Sequence, residues 1–136
     1  MGRAVLISVL RWGLLIGGLV IIVDLAAHAM SQRATSPDDL MAIATADDIA
    51  NFVLFSVLGI VVVRDIGISY MGAAAGAFAS LLDAIVVATA ASMAPPAGPE
   101  LPLEEYFMRN LAIGTLFAGV SGFVYSTVQR WSGRPR

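Results

Sequence analysis

The chain has 136 residues, of which 58% are hydrophobic and only 13% charged, with a net charge of −2 and a mean hydropathy of +0.83. Soluble domains carry about 25% charged residues, and a domain this small cannot hide so much apolar surface from water; the solvent that remains is lipid. Eight arginines and no lysine form no broad basic face for nucleic acid, and the lack of cysteine excludes disulfides, thiolate metal sites and a cysteine nucleophile.

The first eleven residues place Arg3, Ile7 and Arg11 on one helical face. Such a segment either lies along the cytoplasmic surface or extends the first span inward with its arginines snorkelling. The first span, about 12–30, reads WGLLIGGLVIIVDLAAHAM. It has the length of a transmembrane helix, about 17–25 mostly apolar residues. A competing reading makes residues 1–29 a cleaved leader ending in the small-x-small pattern Ala27-His28-Ala29. Arg11 deep in the would-be charged region and Asp24 before the cleavage point count against it.

The link that follows contains TSPDDL, which reads as a helix start: Ser36 at the N-cap, Pro37 at the first position, then two acids. A short outer helix over about 37–45 is expected. TADD repeats the pattern, with Thr45 capping a second span over about 46–64. The link 65–68 is tight, so the second span and a third over about 69–93 should form a hairpin. The Pro-rich APPAGPELPLEEY bars a helix across 95–102, and Glu104 and Glu105 open a fourth span over about 106–129. The expected fold is all-α: one transmembrane domain, residues 1–136, with four transmembrane helices in an antiparallel bundle.

Arginine sets the direction. Arg3, Arg11, Arg64, Arg130, Arg134 and Arg136 fall on one side, and only Arg33 and Arg109 on the other. The positive-inside rule puts both termini and the 65–68 turn in the cytoplasm. Trp12, Tyr70, Tyr125 and Trp131 sit at the same inner interface, and Tyr106 at the outer one. The expected location is a bacterial inner (cytoplasmic) membrane. Eight of the ten acids then gather toward the outer side. Acids at the N-termini of outward-starting helices interact favourably with the macrodipole, a simpler account than a site for a divalent metal or a cationic substrate with His28 as an extra ligand. No metal and no cofactor are expected.

Inside lipid, helices associate where small residues let backbones approach. Gly13 and Gly17 in the first span, Gly72, Gly76 and Ser80 in the third, and Gly114 in the fourth form such stripes. Asp24 and His28 continue the face of Gly17, and Asp83 continues the face of Ser80, because steps of three, four and seven return to one side. Gly119 and Gly122 lie on a different side of the fourth span, which suggests a second contact surface. A lipid-facing aspartate at midplane costs about 2.5–3.5 kcal/mol or more, so Asp83 should face protein. The rise per residue puts Asp83 near the midplane and Asp24, Asn51 and Asn110 one to two turns further out, with Arg109 and His28 higher still. The expected network has Arg109 reaching down to Asp24 or Asp83, with Asn51 and Asn110 completing the hydrogen bonds.

Two functions fit such a network. The first is a non-enzymatic membrane protein that works by helix packing, as a homo-oligomer or an accessory subunit of a larger complex, its partners being lipid and other membrane chains. The second is a small proton-coupled transporter, since an intramembrane carboxylate marks an ion or substrate path by default. Enzymatic chemistry is not expected: the single histidine has no serine partner, and no nucleophile elbow, HExxH or phosphate loop is present. Residues 11–25, RWGLLIGGLVIIVDL, combine an Arg-aromatic start, Gly17-Gly18 and Asp24. This stretch resembles the first span of the GtrA-like proteins, small bacterial four-span proteins associated with moving polyprenol-linked sugars across the inner membrane. The resemblance implies a lipid-linked sugar flippase as the form the transporter would take.

Overall fold

A computed structural model describes residues 2–94 and 102–133. They form four helices and no strand: α1 Arg3–Ser31, α2 Pro37–Ile66, α3 Met71–Met93 and α4 Leu103–Trp131. Each is long and apolar enough to cross a membrane. Their outward faces carry Leu14, Leu15, Leu19 and Ile22 on α1 and Phe123, Val124 and Val128 on α4, all exposed. Hydrocarbon tolerates such faces; water does not.

Residues 3–11 continue α1 without a break. A larger difference concerns α2. The sequence suggests a short outer helix over 37–45 and a separate span from 46, but a single helix runs from Pro37 to Ile66. Thr45 does not cap anything: its hydroxyl donates to the Met41 carbonyl at 2.8 Å, a bond made inside a continuing helix. The true start is Ser36. Its Oγ accepts from the Asp39 amide at 3.1 Å, and Asp39 Oδ2 accepts from the Ser36 amide at 3.1 Å, a reciprocal capping box. Ser36→Ala should therefore lower stability by about 1 kcal/mol, read as a small drop in melting temperature in detergent. At the other end Gly67 adopts φ 77°, a left-handed conformation that glycine takes without a Cβ penalty, and α3 begins four residues later. The Pro-rich segment expected to bar a helix lies mostly in 95–101, outside the described residues.

Helices α2 and α3 touch each other and both flanking helices, while α1 and α4 do not meet among the described residues. The contacts are made by small residues. A Cβ at Gly59 would strike the Ala118 carbonyl, one at Gly76 the Gly114 carbonyl, and one at Gly72 would lie 2.6 Å from the Ala118 oxygen. On the other side, Gly13 packs under the Phe78 ring and Gly17 against Ala79. Gly119 meets Ala73, and Gly122 meets Val63 and Gly59. The second surface that Gly119 and Gly122 suggested is thus covered within the chain. Leu58, Val62, Ala75, Ala79 and Ala118 are fully buried in this zone.

The end of the molecule near the α2–α3 turn is tied by Asp65. Its Oδ2 accepts from the Ser8 hydroxyl and, at 3.3 Å, from the Trp12 indole nitrogen, joining the start of α1 to the end of α2. The Arg11 guanidinium lies over the Trp12 ring at 5.1 Å. Together, the clamp and the glycine crossings close this half of the molecule.

Candidate functional site

The opposite half is not closed. A cavity of about 680 Å³ lies between the helices and opens to the surface at one side. All four helices contribute to its lining. Below it, Phe55 and Phe117 separate the space from the packed glycine zone.

Asp24, on α1, accepts at Oδ1 from Asn51 Nδ2 of α2 at 2.7 Å. Asp83, on α3, accepts at Oδ2 from Asn110 Nδ2 of α4 at 3.1 Å. Each acid is held by an amide on a neighbouring helix, which fixes its rotamer without supplying charge. The two pairs are adjacent: the Asp24 carboxyl is within hydrogen-bonding reach of Asp83 and also of Asp47 on α2. An ionised carboxylate only accepts, so two carboxyls in direct contact require a proton on one of them. Asp83 is 2% exposed, and its Oδ1 has no hydrogen-bond partner among the described residues. Asp47 Oδ1 and Asn51 Oδ1 are likewise buried without a donor.

The register in which Gly17 rests on Ala79 places Asp24 three residues, about one turn, beyond Asp83, and the carboxyl side chains close that step. Arg109 corrects the sequence analysis. It reaches neither Asp24 nor Asp83 but pairs with Asp48 at 3.6 Å, with both side chains more than half exposed. Asn110 points at Asp83, and adjacent helical residues diverge by about 100°, so Arg109 is turned sideways toward α2. There its guanidinium stays hydrated, which burial beside the aspartates would forbid without close pairing.

No protein-family model, curated protein or solved structure matches this chain.

His28 lines the upper part of the cavity and donates from Nε2 to the Ala94 carbonyl at 2.8 Å, joining the far ends of α1 and α3. Gln32 donates to the same carbonyl at 3.2 Å. The histidine therefore acts as a tie between helices. Among the described residues, no group of three or more His, Asp or Glu side chains is arranged to hold a metal ion. Of the packing residues singled out from sequence, Gly13, Gly17, Gly72, Gly76 and Gly114 lie at helix crossings, and Ser80 faces Gly114.

Sequence reasoning missed Asp47 and Gly59. Asp47 looked like a first-turn acid of a helix starting at 46; with α2 beginning at Pro37 it lies well inside the helix and faces the cavity. Gly59 has phenylalanine four residues before it and valine four after, so no small-residue stripe drew attention to it.

Proposed function

We propose that this chain is a non-enzymatic, multi-pass protein of a bacterial cytoplasmic membrane that exchanges protons for a solute, with the carboxyls of Asp24, Asp83 and Asp47 as the exchanging groups. The observation that carries the proposal is their convergence from three helices at a half-open cavity between the apolar helices. Buried acids in lipid are costly, and a packing role would be served by residues that leave no oxygen without a donor. Topology follows from the arginines and the contacts together. Ser8 beside Asp65 and Asp24 beside Asn51 support an antiparallel α1–α2 pair, and the Gly76–Gly114 and Asp83–Asn110 contacts support the same for α3–α4. With both termini cytoplasmic, the cavity faces outward and the glycine zone and Asp65 clamp form the inward seal. Exchange then requires this seal to open while the outer half closes, as in alternating access between two arrangements of the same helices.

The packing-only reading, as a homo-oligomer or accessory subunit, has less support. Its small-residue faces are spent within the chain, and the remaining exposed apolar faces suit lipid equally well. The flippase form implied by the GtrA-like first span also fits poorly here. A polyprenol-linked phosphate is anionic, and the lining offers it four aspartates against one guanidinium.

Liposomes containing the purified chain and a trapped pH-sensitive dye test the proposal. They are challenged across a pH gradient with tetraphenylphosphonium, choline, glucose, acetate and phosphate in turn. At least one solute should drive proton movement in the wild type and none in the Asp24→Asn, Asp83→Asn double variant. Both asparagines keep a hydrogen bond but neither carries a proton, so the variant should still assemble. Equal proton movement in the two proteins, or none with any solute, would remove proton exchange as the function.

A further inference from the structure

The geometry points to a hydrophobic organic cation as the cavity's occupant, a single positive charge seated against Asp83 with its apolar substituents on the phenylalanine wall. This deepens the exchange reading above and rests on it.

Charge comes first. Asp24 on α1, Asp47 and Asp48 on α2 and Asp83 on α3 all line the space. Among the described residues the one guanidinium facing the space, Arg109 on α4, is already paired with Asp48. The other titratable groups among them that face the cavity are His28, bonded to the Ala94 carbonyl, and the phenol of Tyr106 on α4. An anion finds no free cation among these residues.

Hydrogen-bonding capacity narrows the class further. The lining is rich in acceptors and poor in donors, because the amide groups of Asn51 and Asn110 are each directed to an aspartate. A sugar, which needs both, would leave many of its hydroxyl oxygens unmatched. Asp83, 2% exposed with Oδ1 lacking a donor, is the buried acceptor that a cation or its N–H would satisfy.

Size and wall chemistry favour an organic cation over a bare inorganic ion. A space of about 680 Å³ falls within the range of small-molecule pockets. One part of its wall is aromatic: Phe52, Phe55 and Phe117 line it, with the Phe52 and Phe117 rings edge to face at 4.9 Å and 86°. Ring faces attract cations whose own surface is apolar, whereas a small inorganic ion would leave this aromatic wall without a partner. Protons and the organic cation then compete for the same carboxylates, which is the linkage that exchange demands.

Tetraphenylphosphonium and tetraphenylborate, equal in shape and opposite in charge, provide the probes. Calorimetric titration of the detergent-purified chain should show saturable binding of the phosphonium and none of the borate. Binding should weaken as the pH falls, because protonating the facing carboxyls removes the charge that holds the cation. Asp83→Asn should weaken it at least tenfold, and Phe117→Leu, which keeps the acids and the apolar volume, by about tenfold through lost ring contact. Equal binding of both ions, or phosphonium binding unaffected by Asp83→Asn and by pH, would overturn the inference. If glucose or acetate drives proton movement in the liposomes while the phosphonium does not bind, proton exchange stands and the organic-cation class is wrong. If neither occurs, both fall.

Discussion

Gly76→Ile is expected to abolish the folded chain itself, with loss of a monodisperse species in detergent and of any cooperative thermal transition. A Cβ at position 76 would overlap the Gly114 carbonyl and lie 2.7 Å from the Ala118 Cβ. The obstacle is largely backbone, which cannot rotate away as a side chain can. Relief requires α3 and α4 to separate, and Gly72 on α3 rests on the same Ala118, so the separation would extend over at least one full turn. Overpacking by a few methylenes costs about 1–3 kcal/mol when side chains can adjust. Here four carbons meet main chain, and the total is comparable with the whole stability of a small domain, about 5–15 kcal/mol. Gly18→Ile provides the control, since a Cβ there meets nothing within 4 Å. It makes the same change of residue type in a helix and should leave folding near wild type. A Gly76→Ile protein that elutes and melts like the wild type would show that the α3–α4 crossing is not the close contact described.

That contrast also marks how far the sequence could be read. Four spans were legible because lipid imposes a length and an apolar composition on any helix that crosses it, and α1 to α4 follow the hydropathy with ends shifted by a few residues except at the starts of α1 and α2. The faces of α1 and α3 were legible for a related reason: Asp24 and Asp83 continue small-residue stripes at helical spacing, and acids avoid hydrocarbon. What the sequence did not disclose was lateral neighbourhood. Which side chains reach Asp24 and Asp83 depends on which turn of each helix rests on which turn of its neighbour, a matter of glycine contacts between helices. Asp47 was hidden by a local signal that misled. Thr45 followed by two acids has the pattern of a helix start, but Ser36 and Asp39 had already nucleated the helix nine residues earlier, and propagation through Thr45 costs far less than a second nucleus. Arg109 entered the expected network as a cation in the outer half of a span, and the one-residue offset from Asn110 was enough to send it elsewhere.

Asn110→Leu should destabilise the protein by about 2–3 kcal/mol, and adding Asp83→Leu should restore most of that stability while eliminating proton exchange. The first substitution removes the amide that donates to Asp83 Oδ2 at 3.1 Å, so a carboxyl that is 2% exposed loses its donor on one oxygen and already lacks one on the other. A buried acceptor left without a partner loses its hydration with nothing in return, whereas replacing both partners by apolar groups removes the demand altogether. The cavity beside Asp83 gives the two leucines room, so overpacking does not mask the recovery. Unfolding of the wild type, both single variants and the double variant, followed in one detergent, closes the cycle. Strong positive coupling with lost exchange would mean that the polar network is carried at the expense of stability, as expected of groups retained for chemistry. Additive losses, with the double variant the least stable of the four, would instead make the aspartate and its amide part of what holds α3 to α4, and the exchange assigned to Asp83 would lose its physical basis.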